Sequence, residues 1–215
     1  MTDAPQGGPR LIQTEDDLAE GVAHLVAVCP VWTRVAPDLG PLPLLRRADG
    51  FEALADAVVG QLISTSAAAA ISARLAAAGL MTPEAILAAP DETLRAAGLS
   101  RPKVRYLKGI AAAGLDWDGL RAMSDDEAIA TLTALPGIGA WTAEIYLKMA
   151  LGRPDVFAAG DLALQEAVRM MYGLDARPTA AGLRRMAEPW RPWRAVAARG
   201  LWAYYLRAKG REGIR

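Results

Sequence analysis

Apolar residues recur at helical spacing along most of the chain, and no pair of segments shows the alternation that paired strands require. The pattern therefore predicts an all-α protein. A first helix should begin at the capping-box pair Thr14 and Asp17 and end near Val28. Later helices are predicted at residues 83–89, 90–97, 101–113, 124–134, 140–151, 161–171, 179–188 and 192–209.

Three segments interrupt the helical pattern. Residues 1–10 are polar and contain proline and glycine, and we expect a flexible tail over residues 1–13. Residues 30–48 carry four prolines and are expected to be irregular. Residues 51–78 predict a long apolar helix with a break or bend near Gly60 and the run 64–66, where small and hydroxyl side chains weaken the helix.

A length of 215 residues indicates one sizeable domain, assigned to residues 14–215, or a small domain with an appendage, and 53% hydrophobic residues suffice for a buried core. No apolar run approaches the roughly 18 residues of a membrane span. Residues 1–10 do not resemble a signal peptide, so a cytoplasmic, bacterial-type protein is expected. The single cysteine, Cys29, excludes a disulfide within the chain and any thiolate-held zinc or iron–sulfur site.

Charge is distributed unevenly although the net charge is zero. Residues 1–134 hold 11 basic and 17 acidic residues, a net charge of −6, whereas residues 135–215 hold 13 and 7, a net charge of +6. A basic C-terminal half is compatible with nucleic-acid binding. It is equally compatible with solvated helix faces, so the asymmetry by itself decides nothing.

One short segment joins two of the predicted helices through a tight turn. It reads Leu135-Pro136-Gly137-Ile138-Gly139-Ala140-Trp141-Thr142-Ala143. Pro136 restricts the backbone, and Gly137 and Gly139 permit a positive φ and a close approach by another group. The first N–H groups of the following helix have no intrahelical partner and are suited to a phosphate oxygen. The simpler interpretation is a plain helix–helix connector.

An aspartate, Asp161, follows twenty residues after Trp141, at the predicted start of a helix. The hairpin at 134–151 and this aspartate together resemble the helix-hairpin-helix superfamily of DNA glycosylases. Within that superfamily the chain is most similar to DNA-3-methyladenine glycosylase II, the alkylated-base branch. The likeness runs from about residue 50 to about residue 206 and corresponds to a compact form without an N-terminal β domain.

The resemblance implies two helical lobes with a cleft, one lobe formed by the N-terminal segment and the C-terminal helices and the other by the middle helices. It implies double-stranded DNA with damaged bases as the partner. The stretch from Gly60 to Ser64 matches the family's minor-groove loop, with Leu62 as the wedge that replaces a flipped nucleotide. Helical periodicity alone would instead place Leu62 in the core. The full set of DNA-binding candidates is Gln61, Leu62, Ser64, Pro136, Gly137, Ile138, Gly139 and Thr142.

The resemblance also implies a chemistry. A carboxylate near C1′ stabilises the oxocarbenium-like state of base removal and orients water, and Asp161 is the candidate, although an aspartate at a helix start is most often an N-cap. Bifunctional relatives carry a lysine where this chain has Trp141, so a monofunctional glycosylase is expected. Trp141 and Trp202 match aromatic residues of the family's alkylated-base pocket. A further pocket tyrosine of the family corresponds here to Ile145.

No cofactor is expected to be required. The family holds a monovalent cation, Na⁺ or K⁺, on hairpin carbonyls that correspond here to Thr133, Leu135 and Ile138. A monomer acting in base excision repair of alkylation damage is expected. Two alternatives stay open: a glycosylase for another damaged base, and a non-catalytic helix-hairpin-helix module. Asp161 argues against the second, because a phosphate clamp needs no carboxylate.

Overall fold

The structure, a computed structural model, describes residues 10–210, and these residues form helices and connecting turns without a β-strand. The α-helices, in chain order, are α1 (Glu15–Val28), α2 (Pro30–Leu39), α3 (Phe51–Val59), α4 (Thr65–Ala77), α5 (Pro83–Ala88), α6 (Asp91–Ala96), α7 (Arg101–Ala112), α8 (Trp117–Ala122), α9 (Asp125–Thr133), α10 (Ala140–Tyr146), α11 (Leu162–Tyr172), α12 (Ala180–Met186) and α13 (Arg194–Ala208). A π-helical turn, Leu147–Leu151, continues α10, and a 3₁₀ turn, Glu188–Trp190, precedes α13. The predicted all-α class is confirmed.

The chain divides into two compact units. The first contains the residues up to Arg46 and those from Gly152 onwards, and the second is Arg47–Leu151. The division confirms the predicted assignment of the N-terminal and C-terminal segments to one lobe and the middle helices to the other. No helix among residues 10–210 has the length and apolar character needed to cross a membrane.

The first unit contains α1, α2, α11, α12 and α13 around an apolar core rich in aromatic residues. Trp190 meets Trp32 edge to face at 5.8 Å and Phe157 at 5.9 Å, a preferred geometry for aromatic pairs. A Cβ at Gly200 would approach the Trp32 ring to 2.7 Å, so the absence of a side chain there lets α13 pack against it. Burial of Trp190 and Trp193 agrees with the structural role predicted for this segment.

The second unit contains α3 to α10. Helix α7 packs against α3, α5 and α6, and α10 packs against α3 and α9. Its core is largely aliphatic, with Leu54, Leu107 and Leu132 fully buried. The capping box of α9 forms as predicted: Ser124 accepts the Glu127 N–H, and the Glu127 carboxylate accepts the Ser124 N–H.

The structure departs from the sequence-based expectation at residues 30–48. Pro30–Leu39 forms α2, because Pro30 occupies the first helical position, where no backbone N–H is needed. Pro37 lies inside the last turn of this short helix, and burial of Trp32 and Val35 stabilises it. The flexible tail was expected over residues 1–13, of which residues 1–9 lie outside the described residues. At Ile12 that expectation is wrong, because this residue is fully buried and donates its N–H to the Gly152 carbonyl at 2.7 Å.

Candidate DNA-binding and catalytic residues

The predicted break after α3 exists, and Leu62 lies in it. Leu62 adopts a left-handed backbone conformation, with φ +59°, and its side chain is fully exposed. Both features are unfavourable for a leucine, since its Cβ is crowded at positive φ and its apolar surface faces water. The core position that periodicity alone suggests is therefore wrong. A protruding apolar residue at this place is the geometry that a wedge requires.

Two polar side chains hold this turn. The Lys103 ammonium donates to the carbonyls of Val59 at 2.7 Å and Gln61 at 2.8 Å. Burial lowers the pKa of Lys103 below its ordinary value. The Gln61 amide donates to the Gly137 carbonyl at 2.9 Å and the Thr142 hydroxyl at 2.8 Å. The Gln61 side chain thus joins the turn to the hairpin, although the sequence suggested it as a contact to DNA.

Ser64 begins α4 as its N-cap. Its Oγ accepts the N–H of Ala67 at 3.2 Å and lies 3.1 Å from the Ser66 hydroxyl. Ser64 is exposed, so the residue lies on the surface beside the Leu62 turn. The Ser64 hydroxyl is already used as the cap of α4. Ser64 therefore contributes its place on this surface, not a free hydroxyl group.

The hairpin links α9 to α10 through a turn in which the Ile138 N–H approaches the Leu135 carbonyl at 3.3 Å. Gly137 has φ +76°, and a Cβ there would overlap the ring of Tyr106. A Cβ at Gly139, by contrast, would meet nothing within 4 Å. Packing within the protein therefore explains Gly137 but not Gly139, whose bare backbone faces open space.

The hairpin candidates divide by exposure. Pro136 and Gly139 are exposed, whereas Ile138 is 5% and Thr142 is 2% exposed. The Thr142 hydroxyl accepts the hydrogen bond from Gln61, so its side chain supports the turn from inside rather than facing a ligand. The exposed part of the hairpin is therefore its outer edge, at Pro136 and Gly139.

The three carbonyls proposed by the resemblance for a cation lie where α9 ends and the turn begins. Thr133 is the last residue of α9, where carbonyls lack intrahelical partners. The carbonyls of Thr133 and Ile138 accept no backbone hydrogen bond from the part of the chain that the structure describes. Neutral oxygen donors of this kind suit a hard cation, so these residues fit the chemistry of a monovalent ion.

In the first unit, Asp161 is the N-cap of α11 and is only 7% exposed. Its Oδ1 accepts the N–H groups of Ala163 at 2.8 Å and Leu164 at 3.4 Å. The Gln165 amide donates to the Ala159 carbonyl at 2.9 Å and thereby fixes the loop that enters the helix. The predicted capping role is confirmed, and it gives the carboxylate a fixed direction.

The two candidate pocket tryptophans are both half-buried. Trp141 lies in the first turn of α10, in the second unit, and Trp202 lies on α13, in the first unit. Trp202 meets Tyr205 edge to face at 5.9 Å. Each tryptophan therefore remains partly accessible to solvent, as a residue that stacks on a ligand must be.

Tyr146 does not replace the family tyrosine that is missing at Ile145. It is 1% exposed, donates its hydroxyl to Asp49 and accepts the Gly50 N–H at 3.3 Å. Burial raises the pKa of Tyr146, and the hydrogen bond to Asp49 raises it further. Tyr146 is therefore a core residue of the second unit.

Lys103 is a functional candidate that the sequence does not single out, because three further basic residues, Arg101, Arg105 and Lys108, lie on the same helix, α7. Its position carried a usable signal: Lys103, Tyr106 and Gly109 follow one another at intervals of three and so share one face of α7. Tyr106 lies beneath Gly137, and a Cβ at Gly109 would overlap Pro136. That face packs against the hairpin, so a lysine on it was a candidate for a specific contact.

Charge does not follow the two halves of the sequence. Over the whole sequence, the unit Arg47–Leu151 holds 9 basic and 12 acidic residues, a net charge of −3, and the other unit holds 15 and 12, a net charge of +3. The unit that carries both the hairpin and Leu62 is the acidic one. A general basic field therefore does not mark these two loops.

Comparison with known proteins decides the family. Residues 55–192, more than half of the chain, match the HhH-GPD superfamily of base excision DNA repair proteins. The chain belongs to this superfamily. The matched range includes the Leu62 turn, the hairpin and Asp161, so membership rests on the segments whose geometry is described above.

Two similar proteins carry the name of a 3-methyladenine glycosylase. The chain is 32% identical over 197 residues to DNA-3-methyladenine glycosylase 1 of Schizosaccharomyces pombe, covering 86% of each protein. It is 31% identical over 168 residues to DNA-3-methyladenine glycosylase 2 of Escherichia coli, covering 72% of this chain and 57% of that protein.

A solved structure gives the same result for the fold. The S. pombe 3-methyladenine DNA glycosylase Mag1, in complex with abasic DNA, matches with a TM-score of 0.79 and 30% identity. The match covers 88% of this chain and 97% of the other. The helix-hairpin-helix glycosylase fold expected from the sequence is confirmed.

Proposed function

We propose that this protein is a monofunctional DNA glycosylase that removes alkylated bases, of the 3-methyladenine and 7-methylguanine type, from double-stranded DNA. The names of its relatives support the substrate class. The observation that carries the proposal is the Asp161 carboxylate, which is 7% exposed and held in one direction by the first N–H groups of α11.

Asp161 would act on the sugar. As the C1′–N bond breaks, its electron pair leaves with the base, and a base alkylated on a ring nitrogen departs neutral. Positive charge develops on the sugar, and a fixed carboxylate close to C1′ stabilises it electrostatically. Water then forms the new bond to C1′ and releases a proton, for which the same carboxylate is an acceptor. The product is an unbroken strand with an abasic site.

Leu62 would act on the base stack. To reach C1′ the enzyme must turn the damaged nucleotide out of the duplex, which leaves a gap in the base stack. Loss of stacking at this gap favours return of the nucleotide. An apolar side chain inserted into that gap resists the return and kinks the duplex. The full exposure of Leu62 at the tip of its turn supports this role.

Trp141 and Trp202 would recognise the base. Alkylated purines of this type carry a positive charge, and an aromatic ring face attracts a cation by about 0.5–2 kcal/mol. Trp141 also supports water as the nucleophile, because an indole cannot form the Schiff base through which bifunctional relatives cut the strand. Lys148 lies two turns further along the α10 segment, in the π-helical turn, and is buried.

The hairpin would bind the DNA backbone. The uncovered backbone at Gly139 and the first N–H groups of α10 suit a phosphate oxygen. Carbonyls of Thr133, Leu135 and Ile138 would hold Na⁺ or K⁺, which supplies positive charge to the phosphate. We propose that the enzyme works as a monomer on the DNA of a bacterial nucleoid.

The test is release of free 3-methyladenine and 7-methylguanine from methylated duplex DNA by the wild type and by Asp161→Asn. We expect the wild type to release both bases and to leave abasic strands unbroken, and the variant to bind DNA without releasing base. Asn keeps an oxygen that can cap α11, so the variant should fold.

Other results would lead elsewhere. Equal DNA binding without base release by either protein favours the non-catalytic module. Release of only a deaminated or oxidised base favours a glycosylase for another lesion. Strand cleavage by the wild type without heat or alkali contradicts the argument from Trp141 and calls for an amine nucleophile.

A further inference from the structure

The conformation of Leu62 needs an explanation that its own side chain does not supply. A non-glycine residue in the left-handed region is strained, and a fully exposed leucine gains nothing from burial. Without other contacts the turn would relax, and the Leu62 side chain would pack against the protein instead of facing water. Something outside the turn must therefore hold it in the protruding form.

Lys103 is placed to do this. Its ammonium binds the carbonyls of Val59 and Gln61, which flank Gly60. Gln61 directly precedes Leu62. These carbonyls lie at the C-terminal end of α3, where the helix dipole favours a cation. Hydrogen bonds from a charged donor are stronger than neutral ones, and this pair spans the point at which the helix breaks.

The same face of α7 also supports the hairpin. Tyr106, one helical turn beyond Lys103, lies beneath Gly137, and Gly109, about two turns beyond Lys103, lies against Pro136. Gln61 closes the arrangement with its bonds to Gly137 and Thr142. One helix face thus fixes the spacing between the protruding leucine and the hairpin edge.

We propose that Lys103 is a positioning residue for base flipping: its ammonium clamps the turn after α3 and holds Leu62 protruding at a fixed distance from the hairpin. The proposal rests on the proposed function, since it gives Leu62 the wedge role. Lys103 acts through Leu62 and not by touching DNA, which distinguishes it from the exposed basic residues of α7.

The experiment compares Lys103→Met with Lys108→Met. Both variants remove one positive charge from α7, but Lys108 pairs with the carboxylate of Asp91 and does not touch the turn. Each is measured by single-turnover excision at saturating enzyme, by affinity for a duplex with an abasic analogue, and by fluorescence of 2-aminopurine beside the lesion. The substitutions are repeated in a Leu62→Ala background.

We expect Lys103→Met to slow excision by about tenfold or more, the scale set by loss of a charged hydrogen bond. We expect its 2-aminopurine signal to fall and its affinity to match that of Lys108→Met. In the Leu62→Ala background Lys103→Met should cause no further loss, because the residue it positions is gone.

Multiplicative effects of the two substitutions, or equal excision rates for Lys103→Met and Lys108→Met, would overturn the proposal. If the wild type releases no base, the proposed function fails, while the 2-aminopurine signal still tests the wedge and its clamp. If Lys103→Met does not fold, Lys103→Gln, which can still donate to one carbonyl, replaces it with an intermediate loss expected.

Discussion

The side-chain amide of Gln61 donates to the carbonyl of Gly137 at 2.9 Å. The same amide nitrogen donates to the hydroxyl of Thr142 at 2.8 Å, so both N–H groups of one amide are used on the hairpin and the first turn of α10. The two segments are 76 residues apart in the chain. One partly buried side chain therefore ties the turn after α3 to the turn before α10.

Loss of this amide should destabilise the protein. We predict that Gln61→Ala lowers the free energy of unfolding by about 1–3 kcal/mol, because the Thr142 hydroxyl and the Gly137 carbonyl lose their donors in a half-buried place. Urea denaturation measures it. As a control, Thr142→Val should lower the free energy of unfolding less in the Gln61→Ala background than in the wild type. An equal loss in both backgrounds would show that the hydrogen bond between these two side chains does not contribute to stability.

The two hairpin glycines should respond differently to the same substitution. Gly137→Ala places a Cβ at φ +76° and into the ring of Tyr106, so we predict a loss of about 1–3 kcal/mol in stability. Gly139→Ala meets open space and should leave the thermal midpoint within a few degrees of the wild type.

DNA affinity separates the two glycines further. If the backbone at Gly139 approaches a phosphate, Gly139→Ala should weaken binding to duplex DNA although its stability is unchanged. Calorimetry and fluorescence anisotropy on the same preparations provide both measurements. A Gly139→Ala protein that binds DNA as tightly as the wild type would contradict the phosphate role of that residue.

Tyr146 should matter for stability and not for base recognition. We predict that Tyr146→Phe lowers the free energy of unfolding by about 1–3 kcal/mol, since the Gly50 N–H loses its acceptor and the Asp49 carboxylate loses one donor, keeping the one from Arg121. The excision rate at a temperature well below the melting midpoint should be unchanged. A selective loss of excision with normal stability would place Tyr146 in the base pocket instead.

Stability should fall in acid through the two capping boxes. The N–H groups of Gln13 and Thr14 lower the pKa of Asp17, and the hydroxyl and N–H of Ser124 lower the pKa of Glu127. Because both pKa values are lower in the folded state, the stabilisation is present above the ordinary values of 3.8 and 4.5 and is lost as the pH falls through the folded values.

Urea midpoints measured between about pH 6 and pH 3 test this prediction. The wild type should lose stability over the lower part of that range. The double variant Asp17→Asn/Glu127→Gln keeps an oxygen acceptor at each position and has no charge to lose, so its curve should be flatter. Parallel curves for the two proteins would show that these boxes contribute no pH dependence.

Local chemistry along the chain determines where most of the helices begin and end. In the capping boxes at Thr14 and Ser124 and in the cap at Asp161, the hydrogen bonds join residues at most three positions apart. Sequence spacing alone therefore specifies these helix starts. Helix α2 escaped prediction because Pro30 stands at the first helical position, where a helix tolerates it. Packing of Trp32 against Trp190 and Gly200 offsets the backbone hydrogen bond that Pro37 removes.

Tertiary structure alone decided how the candidate site is arranged. Periodicity placed Leu62 in the core, whereas the clamp by Lys103, 41 residues away in the chain, turns it outward. The sequence named Gln61 and Thr142 as surface contacts, but their bond to each other, 81 residues apart, turns them inward. Sequence spacing specifies bonds between near neighbours, and the direction of a side chain depends on distant residues that only folding brings together.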